Sequence, residues 1–299
     1  MSESRPGTDS ADKLAATGEY ELSPGIPRRL DRYVTRLVAP NPGVMTGPGT
    51  NTYLVGEGQL AVIDPGPQDA SHLRAILDAG AGRIRWILCS HTHLDHAAAA
   101  MALSKATGAP IAGMSSPRTE HDSEVVLDRT LHDGDLIEVD GAAIQAVATP
   151  GHASNQLCFL LENTRMLFTG DHIMQGSTVV IWPPDGNMAA YLSSLRRLLN
   201  LDIAVLAPGH GHLIAEPHTE IERLIRHRLA REDKVRRALQ RSGGRATLEA
   251  LLPAVYDDVS PAVHPLAARS LQAHLEKMIE DGEIIREPGA AHYALAARA

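Results

Sequence analysis

Apolar runs that stop at a histidine or an aspartate recur along this chain, and they constrain its fold more than any other feature. The run Arg85-Trp86-Ile87-Leu88-Cys89-Ser90 ends in His91-Thr92-His93-Leu94-Asp95-His96. A short apolar run bounded by Gly82 predicts a buried strand, and the alanine-rich Ala97 to Ala102 that follows predicts the start of a helix. Three imidazoles and a carboxylate are thereby crowded onto one loop at a strand end. The chain has 15 histidines, so a polar loop with chance histidines is the alternative. Chance accounts poorly for the order HxHxDH at the mouth of a strand. Neutral imidazole with carboxylate is a ligand mix that suits zinc or iron.

The pattern repeats. Ala142 to Ala148 leads into Thr149-Pro150-Gly151-His152, Met166-Leu167-Phe168-Thr169 into Gly170-Asp171, and Ala204-Val205-Leu206-Ala207 into Pro208-Gly209-His210. Taken singly, His152, Asp171 and His210 are turn residues more often than ligands. Taken with the first cluster they predict strand ends converging on one rim, where loops on a rigid scaffold carry function.

With Asp64 in Val62-Ile63-Asp64-Pro65-Gly66, these motifs resemble the metallo-β-lactamase superfamily over roughly residues 30 to 215. The resemblance implies an α/β fold, a four-layer αββα sandwich with a two-metal site at one edge. It implies one metal held by His91, His93 and His152, and a second by Asp95, His96 and His210, with Asp171 bridging both. Asp64 is read as a structural group behind the metal loop. Two cations about 3.5–4 Å apart can share a water, lower its pKa towards neutrality and present hydroxide as nucleophile. Asp95, beside His96, is the residue expected to accept a hydrogen bond from that hydroxide and orient it. Two Zn2+ per chain are expected, because nitrogen and oxygen ligands without thiolate suit zinc; iron and manganese stay open. Cys89 and Cys158 lie inside apolar runs and read as buried free thiols.

Composition sets outer bounds. No run approaches the ~20 apolar residues of a membrane helix. Residues 1–20 are rich in Ser, Asp, Gly, Thr and Ala and read as a disordered tail, neither secretory signal nor transit peptide. Residues 21–218 are expected to form the catalytic domain and 219–299 a C-terminal helical, winged-helix-like domain. Two cysteines make no disulfide framework, which places the expected compartment in the cytoplasm.

Local patterns give the organisation. Tyr33 to Val38 predicts a strand, and Thr52–Val55 with Leu60–Ile63 a hairpin about Gly56-Glu57-Gly58. Ala70 to Ala79 predicts a helix stopped by Gly80. Leu157–Leu161 and Met166–Phe168 predict a second hairpin, and Met188 to Leu199 an amphipathic helix. Strands followed by a helix, twice over, suit a two-layer sandwich of two halves. Only eighteen residues lie between His152 and Asp171, which leaves no room there for the inserted domain of β-CASP-type nucleic-acid-processing relatives.

The C-terminal part is basic in places. Glu220 to Gln240 predicts a long helix carrying Arg223, Arg226, Arg228, Arg231, Lys234, Arg236 and Arg237, with Arg241 at its end. Arg245–Tyr256 and Leu266–Glu280 predict two further helices, and Ile284–Arg286 with His292–Leu295 a wing hairpin about Glu287-Pro288-Gly289-Ala290-Ala291. The layout resembles the lactamase-β-like branch, which contains both endoribonucleases and thioesterases. Acidic residues interleave the basic ones, so a solvated charged surface is preferred over a nucleic-acid contact. Net charge is −8, against the phosphate neutralisation that drives nucleic-acid affinity. Two Phe and two Trp leave few platforms for base stacking.

The expectation is therefore a metal-dependent hydrolase of an ester or thioester, with a small-molecule acyl substrate preferred over RNA and no membrane partner. A single-strand endoribonuclease is the first alternative. An iron-dependent oxidoreductase is the second, disfavoured by the complete second-metal set. Asn51, Thr52, His172, Ser177, Thr178 and Trp182 are candidates for substrate contact, with loop capping or a hydrogen bond behind the ligands the commoner role for each; His212 reads as a surface or supporting histidine rather than an eighth ligand.

Overall fold

The computed structural model describes residues 21–115, 119, 121–287 and 291–296. The tail expected at 1–20 and the wing turn at 288–290 lie outside them. The first of two compact units holds 21–149, 155–178 and 201–220 among the described residues, and is built on two sheets. One sheet has seven strands in sequence order: β1 (Arg28–Arg29), β2 (Val34–Val38), β3 (Asn51–Val55), β4 (Leu60–Ile63), β5 (Ile84–Leu88), β6 (Ile111–Gly113) and β7 (Arg129–Thr130). The other has five: β8 (Leu136–Val139), β9 (Ala142–Ala148), β10 (Leu157–Leu161), β11 (Met166–Gly170) and β12 (Val205–Pro208), in the order β12-β11-β10-β9-β8.

Both hairpins form where turn chemistry predicts them, with Tyr53 opposite Ile63 and Phe159 opposite Phe168. Neighbours β4 and β5 are parallel, as are β11 and β12. Parallel neighbours bring their C-terminal ends to the same edge, and Asp64, His91, Asp171 and His210 all lie just past such ends. That is the physical content of the recurring motif.

The sheets pack face to face. Tyr53, Val55 and Ile63 share one core with Ile144, Phe159, Leu161 and Phe168, and the Tyr53 and Phe168 ring centroids lie 4.9 Å apart. Alternation along β3 and β4 turns Leu54 and Val62 to the opposite face. There they meet Ile76 of helix α1 (Ala70–Gly80) and Leu103 of a helix described next. Helix, sheet and sheet are thus stacked around two cores. Strand β10 is buried at every position, as a strand covered on both faces should be. Asp69 caps α1, its carboxylate accepting from His72 N at 2.8 Å.

Two expectations need correction. The helix after the histidine cluster begins earlier than Ala97 and is broken. A single turn, α2 (Leu94–Ala97), carries Asp95 and His96, and α3 (Ala100–Thr107) follows. The residues 245–256 are not helical throughout. A strand β13 (Arg245–Thr247) comes first because it pairs with a distant segment, 292–295.

The second unit comprises 150–154, 179–200 and the described residues of 221–299. It contains α4 (Met188–Leu198), most of α5 (Pro217–Arg241), α6 (Leu248–Val255) and α7 (His264–Glu280). Strands β14 (Ile284–Arg286) and β15 (His292–Leu295) complete a three-stranded sheet in the order β13-β15-β14. Its core gathers Leu239, Leu251, Val255, Leu271, Leu275, Met278 and Ile284. Among the described residues no helix is long and apolar enough to cross a membrane.

Candidate metal centre

The seven candidate ligands fall into two groups. One ligand atom from each of His91, His93 and His152 lies within 4.8 Å of the others, and the same holds for Asp95, His96, Asp171 and His210. Within the second group His96 Nε2 stands 3.4 Å from Asp95 Oδ2 and 3.3 Å from Asp171 Oδ1. His210 Nε2 stands 3.2 Å and 3.3 Å from the same two oxygens.

What the rings do with their other nitrogen decides their chemistry. A ligand imidazole needs one bare nitrogen, which follows when the other carries the proton and donates it. Asp64 Oδ2 accepts from His96 Nδ1 at 2.9 Å; as a carboxylate it can only accept, so Nδ1 holds the proton. The same Oδ2 accepts from Ser90 Oγ at 2.7 Å, which leaves the serine oxygen to accept from His91 Nδ1 at 3.0 Å. His152 Nδ1 donates to the Val180 carbonyl at 2.8 Å and His210 Nδ1 to the Gly49 carbonyl at 3.2 Å. In each of these four rings Nδ1 is the donating nitrogen, which leaves Nε2 as the nitrogen that could hold a cation.

Both His96 and His210 are nearly inaccessible, and neither Nε2 has a hydrogen bond of sound geometry. A buried polar atom left so is costly unless something else meets it. Two ligand atoms about 2.1 Å from a shared tetrahedral ion stand about 3.4 Å apart, close to the spacings found around these nitrogens. The donor set is therefore fitted to a cation. Burial opposes charge on either ring, but the carboxylates of Asp95 and Asp171 outweigh it, raising His96 well above its usual range and His210 up to about 9. In return, and against their own burial, Asp95 is held below the usual carboxylate range chiefly by His96, and Asp171 chiefly by His210. The two carboxylates stay ionised, which is what a cation requires of them.

Residues outside the ligand set complete the centre. Asp64 Oδ1 accepts from Ser90 N at 2.7 Å, so one carboxylate braces the loop and two rings. Asn51 Nδ2 donates to the carbonyls of Pro208 and Gly211, at 2.9 and 2.8 Å, and so clamps the His210 turn. Thr92 Oγ1 donates to Asp122 and accepts from Asn155 Nδ2 at 2.7 Å, tying the His91–His93 segment from outside. Ser90, Asp122 and Asn155 were not foreseen; their contacts span 26, 30 and 63 positions. His172 is fully buried behind the edge, and His212 is exposed.

Comparison with known proteins agrees with this geometry. Residues 45–210 match the metallo-beta-lactamase superfamily and residues 247–291 the beta-lactamase associated winged helix domain. The chain belongs to the metallo-beta-lactamase superfamily and is a hydrolase of that superfamily with a potential dinuclear metal site. It is 32% identical over 291 residues to the lactamase-like protein adaB of Aspergillus niger, covering 90% of this chain and 87% of that one. It is 28% identical over 266 residues to the atrochrysone carboxyl ACP thioesterase nsrC of Aspergillus novofumigatus, covering 84% and 80%. Among solved structures, a beta-lactamase domain protein from Burkholderia ambifaria superposes with a TM-score of 0.80 at 20% identity, over 94% and 96% of the two chains. That likeness concerns the fold.

Proposed function

We propose that this chain hydrolyses an acyl ester or thioester, using two metal ions held by His91, His93 and His152 and by Asp95, His96 and His210, with Asp171 shared between them. The observation that carries the reading is the set of four imidazoles that donate from Nδ1, with the buried Nε2 atoms of His96 and His210 beside the ionised carboxylates of Asp95 and Asp171. Zinc suits nitrogen and oxygen donors without thiolate. Bound here, two such ions would supply Lewis-acid polarisation and a water acidified to about neutral pH. Asp95 accepts a hydrogen bond from the attacking water and orients it; its carboxylate is ionised across the physiological range. Asp64 keeps His96 aimed, and Ser90 does the same for His91.

The thioester side of the reading is supported by the relative described as an acyl-carrier-protein thioesterase. It is also supported by what the basic helix does with its charges. Lys234 pairs with Asp257, Arg236 with Asp233 and Glu283, and Arg231 with Asp258, while Arg228 is buried. Cations committed to neighbouring carboxylates are poor phosphate ligands. Both cysteines are buried free thiols, in keeping with a reducing cytoplasm.

The test incubates the zinc-loaded full chain separately with acyl thioesters and with single-stranded RNA. Thioester turnover that disappears in Asp95→Ala, with RNA left intact, is expected. RNA cleavage abolished by Asp95→Ala, without acyl turnover, would overturn the assignment. One iron per chain with the second ligand set idle would overturn the two-metal reading.

A further inference from the structure

His152 is held by its own scaffold. Ser194 Oγ donates to the Pro150 carbonyl and Asn187 N to the Gly151 carbonyl, both at 2.8 Å. Gly151 lies so close to α4 that a Cβ would stand 2.4 Å from Tyr191 Cα. The ring's Nδ1 donates to the Val180 carbonyl at 2.8 Å.

That carbonyl belongs to no helix or strand, because 178–182 is irregular backbone. No ladder fixes its direction, so something else must. Ser270 Oγ, on α7, accepts from Ile181 N at 3.2 Å. This N–H belongs to the same planar peptide unit as the Val180 carbonyl, so holding one end directs the other. Arg228, on α5, grips the preceding peptide, its Nη2 donating to the Val179 carbonyl at 2.6 Å. The guanidinium is 2% exposed and its Cζ stands 5.2 Å from the Tyr191 ring centroid. Tyr191 is the residue against which Gly151 packs. A buried arginine carries a desolvation cost that a merely solvated surface cation would not.

We propose that Ser270 and Arg228 are positioning residues for His152, so that the C-terminal helices tune a metal ligand through the Val179–Ile181 segment. The proposal rests on the reading of His152 as a ligand. Ser270 and Arg228 would then serve a ligand of their own compact unit, a duty that requires no nucleic acid.

The test measures zinc dissociation constants of the full chain by chelator competition, resolving the two equivalents. Ser270→Ala and Arg228→Met are expected to weaken one equivalent about tenfold and leave the other unchanged, as loss of a residue behind a ligand does. Arg228→Lys, which keeps a donor, recovers most of the loss. Met278→Ala removes a buried side chain of the same unit; it is expected to lower melting temperature while leaving both equivalents intact. Should Arg228→Met not fold, Ser270→Ala decides alone. The proposal is overturned if Ser270→Ala binds both equivalents like the parent chain, or if Met278→Ala weakens the same equivalent as much. His152→Ala separates the two layers of the argument. If it changes neither equivalent, the ligand reading fails and the proposal with it. If it weakens one while the positioning variants do not, only the positioning fails.

Discussion

Asp64 Oδ2 and His96 Nδ1 meet at 2.9 Å with both side chains buried. The carboxylate also accepts from Ser90 N and Ser90 Oγ, so its three donors arrive from one strand end and one helical turn. Asparagine in its place would present an N–H2 group to at least one donor. Asp64→Asn is therefore expected to weaken zinc held by the Asp95, His96, Asp171 and His210 set about 10- to 100-fold. Loss of stability of about 1–3 kcal/mol should accompany it, since a buried donor is left unpaired. Chelator competition and thermal melting check both; unchanged binding of both equivalents would remove Asp64 from its supporting role.

Metal removal should destabilise the chain by mass action. Without cations, the charges of Asp95 and Asp171 crowd together beside the imidazoles of His96 and His210. An ion present at a hundredfold over its dissociation constant adds about 3 kcal/mol. Chelated protein should melt at a lower temperature than loaded protein and recover with two equivalents of zinc. A melting temperature indifferent to chelator would contradict the proposed centre.

The candidate ligands were legible because each sits next to its own strand in sequence. His91 to His96 are covalent neighbours, and His152, Asp171 and His210 each follow an apolar run. The partners that fix their ring nitrogens are less visible. Gly49 and Val180 contribute carbonyls, which carry no residue identity, and Ser90 looked like the last residue of a strand. The break between α2 and α3 has a similar cause. The Gly66 carbonyl accepts from Ala99 N and the Gly66 amide donates to the His96 carbonyl, so a segment far back in sequence shapes the turn. Strand β13 was hidden for the same reason, since only its pairing with β15 makes it a strand. Periodicity reports what a segment buries, and nothing about which distant backbone it meets.

Acid should loosen the C-terminal unit through His274. Burial pushes this fully buried imidazole down to about 4, although Glu232 Oε1 lies 3.4 Å away. Unfolded, it titrates near 6.5. The unfolded chain thus binds the extra proton first, and the stability present above pH 6.5 is lost as pH falls from 6.5 through 4. Across that window the loss is about 3 kcal/mol. His274→Gln cannot titrate, so the stability difference between parent and variant should be flat above pH 6.5 and shift against the parent below it. Parallel pH profiles for the two proteins, by denaturant melts, would refute this assignment.

Gly209 shows why a glycine precedes His210. A Cβ there would stand 2.6 Å from His96 Cε1 and 3.1 Å from Asp171 Oδ1, inside the second ligand group. The backbone has nowhere to retreat. Gly209 N donates to the Gly170 carbonyl at 2.9 Å, and the Gly209 carbonyl accepts from Asn51 N at 2.7 Å. The His96 ring must yield instead, and Asp64 holds that ring from behind. Gly209→Ala is therefore expected to leave the chain folded while weakening the corresponding zinc equivalent about 10- to 100-fold, the same scale as losing a residue behind a ligand. Acyl turnover should fall with it, and added zinc should restore part of the activity. If the variant keeps both zinc affinities, the strand end moves more freely than these two hydrogen bonds allow, and the geometry of the second ligand group would not be set by close packing at this turn.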